Sequence, residues 1–142
     1  MLLLILTALL AITGLASCKD TIITADRLPD SARSFIDEYF PETPISYVKK
    51  DRGLTKSTYD VILQDGTEIE FNKSGEWDTV DCKRAAVPMA LVPVTIAEYV
   101  LSNFPGQMIV KIDREPYGHE IEVSGDLELK FDKNGKLLHI DD

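Results

Sequence analysis

Hydrophobic and polar positions alternate along this chain in a few distinct ways. Residues 1–17 read MLLLILTALLAITGLAS, an apolar run with no charged side chain. Further along, apolar residues recur at helical spacing in two short stretches, Ala32, Phe35, Ile36, Tyr39 and Phe40, then Ile96, Tyr99, Val100 and Phe104. Elsewhere the period is two. Tyr59, Val61 and Leu63 alternate with Asp60, Ile62 and Gln64, and Ile69 and Phe71 with Glu68 and Glu70. Ile121 and Val123 alternate with Glu120, Glu122 and Ser124, and Leu129 and Phe131 with Glu128 and Lys130. Such alternation predicts antiparallel strands with one covered face and one wet face.

Turn chemistry punctuates the pattern. Pro29 and Pro93 suit the start of a helix, where a missing N–H costs nothing. Pro41 and Pro105 push the preceding phenylalanines out of helical conformation and stop both helices. Asp65-Gly66 and Gly125-Asp126 are short-hairpin signals. Asn72 to Gly75 and Asp132 to Gly135 predict hairpins in which glycine takes the positive φ, bringing Trp77 opposite Phe71 and Leu137 opposite Phe131.

These signals occur twice. Leu28-Pro29 and Phe40-Pro41 recur as Val92-Pro93 and Phe104-Pro105 at an offset of 64, and Phe71 to Gly75 recurs as Phe131 to Gly135 at an offset of 60. The change of offset places a deletion in the second copy's first hairpin, where loops tolerate it. The expected fold is α+β: a tandem repeat of one helix plus a four-stranded antiparallel meander. Together the copies would make one curved eight-stranded sheet with both helices on one face. The expected organisation is a signal at 1–17, a tether at 18–27, a first repeat at 28–82, a linker at 83–91 and a second repeat at 92–142.

The opening run lacks the polar stripe of a soluble amphipathic helix. It is also short for a membrane span, which needs roughly 20 apolar residues. It reads as a secretory signal. Leu15-Ala16-Ser17-Cys18 resembles the lipobox of bacterial lipoproteins, which implies that Cys18 is lipidated and becomes the first mature residue. Each buried acyl methylene contributes about 0.8 kcal/mol, so several chains hold a protein on a membrane. No Lys or Arg precedes the apolar run, so an ordinary cleaved signal or an uncleaved anchor is the competing reading, as is a start further upstream. Lipidation leaves Cys82 alone, as a buried structural thiol; a Cys18–Cys82 disulfide is the other account.

With 15 Lys+Arg against 24 Asp+Glu, the formal net charge is -9. That balance excludes nucleic acid, whose phosphates demand clustered cations. No nucleotide loop, nucleophile elbow or cofactor fingerprint occurs, so neither catalytic residues nor a cofactor is expected. His119 replaces Tyr59 of the first copy, and His139 lies in the last strand; their separation lacks the local spacing of a zinc site. Asp132-Lys133-Asn134-Gly135 overlaps the start of a calcium loop, but Asp141 stands where the bidentate Glu belongs, so a turn is expected and no metal. The wet face gathers Asp60, Glu68, Glu70, Asp78, Glu120, Glu122 and Glu128. These define either a solvated surface or a partner-binding one.

The repeat frame, with Leu28-Pro29, Phe40-Pro41, Phe71 to Trp77, Val80 to Lys83, Val87-Pro88, Val92-Pro93, Phe104-Pro105 and Phe131 to Gly135, resembles the PepSY-like family of β-lactamase-inhibitor-like lipoproteins from Bacteroides-type bacteria. The resemblance implies a sheet that clasps a partner and carries no catalytic set. The expectation is a non-catalytic lipoprotein anchored in the cell envelope, on the periplasmic side or the outer-membrane surface. Its partner would be an envelope protein such as a peptidase or other hydrolase. The alternative is a structural or assembly lipoprotein of an envelope complex with no inhibitory target. Clustering of Cys82 with His119 or His139 in a deep pocket would favour an enzyme instead.

Overall fold

A computed structural model describes residues 20–53 and 57–142. Their strands join in sequence order into one antiparallel sheet, β1 (Thr21–Ile23), β2 (Ile45–Arg52), β3 (Ser57–Leu63), β4 (Glu68–Asn72), β5 (Trp77–Asp81), β6 (Ile109–Glu115), β7 (Gly118–Val123), β8 (Glu128–Asp132) and β9 (Leu137–Asp141). Two ten-residue helices are described, α1 (Asp30–Tyr39) before β2 and α2 (Val94–Asn103) before β6. The signal at 1–17 and Cys18 lie outside the described residues.

This overturns the expected fold class. The described residues are mostly β, and their nine strands form one sheet instead of two helix-plus-meander units sharing eight. The ninth strand comes from the stretch read as a tether, with Thr21, Ile22 and Ile23 pairing with Lys50, Lys49 and Val48. A three-residue strand is too short to display an alternation, so its polar surroundings hid it. The continuous sheet expected from sequence requires a seam between the halves, but its register was not legible. There β5 pairs with β6 through Thr79↔Asp113, Val80↔Ile112 and Asp81↔Lys111, partners thirty or more residues apart. The stretch 83–91 is also packed into the structure: Val87 and Leu91 are buried, and the N–H groups of Cys82 and Val87 donate to Val110 and Ile109.

Both helices start after a proline in extended conformation and end where the next proline dictates. Phe40 and Phe104 leave helical conformation at φ -134 and -130, each donating its N–H to the carbonyl four residues back. Their inward faces, Ala32 and Ile36 on α1 and Ile96 and Val100 on α2, are buried on the same side of the sheet. Phe35 meets Phe71 edge-on at 5.5 Å, and Tyr99 meets Phe131 edge-on at 5.4 Å. Beneath them one aliphatic row crosses every strand: Ile23, Val48, Val61, Ile69, Val80, Ile112, Ile121, Leu129 and Ile140. From Val48 to Leu129 that row is no more than 1% exposed. The predicted pairs Phe71↔Trp77 and Phe131↔Leu137 are present, each beside a β-bulge.

The two hairpins after β4 and β8 lock onto the helix starts. Gly75 and Gly135 take φ +82 and +78, and a Cβ on either would lie 2.1 Å from Ser31 Oγ or 2.0 Å from Thr95 Oγ1. Glycine is required there both for its backbone conformation and for its missing side chain. Asp132 accepts the N–H groups of Asn134 and Lys136, and Asn72 accepts those of Ser74 and Glu76. The turn reading of Asp132 to Gly135 therefore holds, with the carboxylate closing the turn.

Candidate binding face

The opposite face of the sheet is uncovered among the described residues. Strand register sets its side chains in two long rows. One runs Ile22, Lys49, Asp60, Glu70, Thr79, Asp113, Glu120, Lys130 and His139. The other runs Tyr47, Ile62, Glu68, Asp81, Lys111, Glu122, Glu128 and Asp141. Six of the seven acidic positions singled out from sequence, Asp60, Glu68, Glu70, Glu120, Glu122 and Glu128, thus fall in adjacent rows on one surface. Asp78 differs. The register passes from Glu70↔Thr79 to Phe71↔Trp77, so Asp78 occupies the bulge, at a depression it shares with Glu70, Asn72, Thr79 and Arg114.

Sequence reading by acidic residues alone missed the cations between them. Lys49 reaches Asp20 at 2.9 Å and Asp60 at 3.9 Å. Lys83 bridges Asp81 at 2.6 Å and Glu68 at 2.9 Å, across the top of the sheet. Lys111 pairs with Asp113 at 3.0 Å. Lys130 stands among Asp141 at 3.0 Å, Glu128 at 3.3 Å and Glu120 at 3.9 Å. The face is therefore predominantly acidic, with Lys49, Lys111 and Lys130 set among neighbouring acids such as Asp60 and Glu70, or Glu122, Glu128 and Asp141. The missing signal was available, since Lys49, Lys111 and Lys130 share the strand parity of the acids.

Partial burial and these neighbours tune the charges. Burial pushes the Asp60 carboxyl up, opposed by Lys49. Burial likewise raises Glu120, whose carboxylate accepts a 2.9 Å hydrogen bond from Tyr117 Oη. Burial and that same carboxylate push the Tyr117 hydroxyl up to about 12. Burial works against the Lys111 cation, but the bond to Asp113 and the surrounding acids outweigh it, and its pKa is raised. Hydrogen bonds to Asp141 and Glu128 raise Lys130, and the Lys130 bond, with His139, lowers Asp141. Two shallow depressions dent this face, one of about 300 Å³ beside Tyr47, Lys49, Asp60 and Glu70, and one of about 630 Å³ beside Glu70, Asp78, Thr79 and Arg114.

The remaining candidates lie elsewhere. His119 sits on the covered side opposite Phe131, where burial and then Arg114 lower its pKa. His139 lies on the open face and hydrogen-bonds Asp141 at 2.7 Å. Cys82 is buried at the end of β5, and burial pushes its thiol up to about 11, away from the reactive thiolate. The depression it borders is lined by Asp65, Lys83, Arg84 and Ala85, with no histidine. Among the described residues, no group of three or more His, Cys, Asp or Glu is disposed to hold a metal ion.

Comparison with known proteins places this fold. A family model described as "Putative beta-lactamase-inhibitor-like, PepSY-like" matches residues 57–139. Among solved structures, a Bacteroides vulgatus periplasmic protein of unknown function is 37% identical with a TM-score of 0.84, covering 87% of this chain and 100% of its own. A Bacteroides thetaiotaomicron protein described as a "putative calcium-regulated periplasmic protein" is 35% identical with a TM-score of 0.83, covering 87% and 97%. A second Bacteroides vulgatus periplasmic protein, from the DUF2874 family, is 36% identical with a TM-score of 0.83, covering 89% and 99%. No curated protein matches. The structural similarity covers most of this chain, and the chain belongs to the PepSY-like, β-lactamase-inhibitor-like family.

Proposed function

We infer that this protein is a non-catalytic module of the cell envelope, held to a membrane by a lipid on Cys18, that binds another protein through the open face of its sheet. The observation that carries this reading is the asymmetry of one continuous sheet. Helices cover one side from Val48 to Leu129, while the other presents two mainly acidic rows interrupted by lysines, with Tyr47, Ile62 and Ile22 among them. Acids and lysines at fixed positions on a rigid surface favour a partner with complementary charge in register and disfavour others. The surface is broad and only shallowly dented, which suits a protein surface better than a small substrate. The periplasmic descriptions of the structural neighbours support the envelope setting. A hydrolase is the partner class that the family description favours. One relative is described as a "putative calcium-regulated periplasmic protein", and among the described residues of this chain no cluster of ligands supports carrying that over.

The test is capture of partners from envelope extracts by the exported domain, with Glu70→Lys and Glu122→Lys as variants. Capture should fall at least tenfold for the double variant while its melting temperature stays unchanged, and the captured species should include a hydrolase slowed by the wild-type domain. Equal capture by wild type and double variant would place binding elsewhere.

A further inference from the structure

Strands β5 and β9 occupy matching places, each following a bulged hairpin and each paired on its inner side with the strand before it. Their outer edges differ. The edge of β5 is filled by β6, while among the described residues β9 ends the sheet. The consequence shows in the aliphatic row: Val80 is 0% exposed and Ile140, its counterpart, 41%. Leu138, in the β9 bulge, is 54% exposed. A strand edge with free N–H and C=O groups beside exposed aliphatics is a template for another strand.

The β5–β6 seam specifies what that strand must carry. An acid stands opposite Thr79 (Asp113), an aliphatic opposite Val80 (Ile112), and a base opposite Asp81 (Lys111). On β9 the three receiving residues are His139, Ile140 and Asp141. Read in the antiparallel sense, β9 itself supplies acid, aliphatic and base: Asp141, Ile140 and His139. We propose that β9 pairs with β9 of a second copy about a twofold axis through Ile140, joining two sheets into one. His139 then faces the second copy's Asp141, Asp141 faces the second copy's His139, and the two Ile140 side chains meet on the covered side. The acid–base pairing seen within one chain, His139 Nε2 to Asp141 at 2.7 Å, becomes available across the axis on both open faces. The bulge is no obstacle, because β5 accepts β6 with a bulge at the same place. The axis runs perpendicular to the sheet, so all four helices stay on one side, as α1 and α2 do across the β5–β6 seam.

Sedimentation of the purified protein over a wide concentration range tests this, with thermal melting as the check on folding. Wild type should reach twice the monomer mass. Ile140→Lys should hold the protein at monomer mass, since it sets two cations against each other at the axis. His139→Asp alone and Asp141→His alone should each weaken association at least tenfold, by placing acid against acid or base against base. The double variant His139→Asp/Asp141→His restores opposite pairs and should recover the dimer. Wild type that stays monomeric at millimolar concentration would overturn the proposal. So would a dimer indifferent to Ile140→Lys and to both single exchanges.

Discussion

The two faces of the sheet are written by the same strands, one residue out of step, yet they obey different physics. On the covered face each position is a matter of volume: Phe71, Phe131 and the aliphatic row from Val48 to Leu129 leave almost no surface to water, and the helices close over them. On the open face each position is a matter of charge, and nearly every acid named there has a cation within reach. The contrast teaches that stability and recognition are separable in this fold. Substitutions on one face should unfold the protein, and substitutions on the other should change what it binds.

The largest effect is expected under α2. Phe131→Ala removes a fully buried ring from beneath Tyr99 and should cost about 3–5 kcal/mol in chemical denaturation. Gly135→Val comes next, forcing a branched side chain into positive φ and against Thr95. Backbone strain alone should cost about 1–3 kcal/mol, and Gly66→Ala should cost less, since nothing lies within 4 Å of its Cβ position. Glu122→Lys on the open face should stay within about 0.5 kcal/mol of wild type while altering capture. If it unfolds the protein, the separation of faces fails.

A pH effect distinguishes the faces more finely. His119 on the covered side has a pKa lowered from 6.5 by burial and by Arg114. The unfolded chain therefore takes up the proton first as pH falls. Stability is full above about 6.5 and declines below it, until the folded imidazole also protonates. Asp60 and Glu120 on the open face have raised values, so the sign reverses: their contribution is present at acid pH and lost as pH rises through those values. Melting temperatures of His119→Gln should lose the decline just below pH 6.5, and those of Glu120→Gln should keep it.

Much of the covered face was legible in the sequence, because period two and period 3.6 are local signals. The helix limits at Phe40 and Phe104, the pairing of Phe71 with Trp77, and the glycine turns all follow from neighbours within a few residues. What escaped was non-local or too short. Three residues, Thr21 to Ile23, cannot show an alternation, and nothing near Val80 announces that Ile112 will lie beside it. The open face was half legible. Parity placed Asp60, Glu70, Glu120 and Glu122 together, but the acids were read without their same-parity lysines. Asp78 stands beside the Glu70–Thr79 pair and not in a row of its own, because a bulge unmarked in the sequence falls at that point.

The separation of faces is tested most directly by lysine labelling of the domain, free and in the presence of its captured partner. Lys49, Lys111 and Lys130 on the open face should lose reactivity on binding, while Lys73 and Lys133 at the hairpin tips keep theirs. Protection of Lys73 and Lys133, with the three open-face lysines labelled as in the free domain, would contradict the assignment.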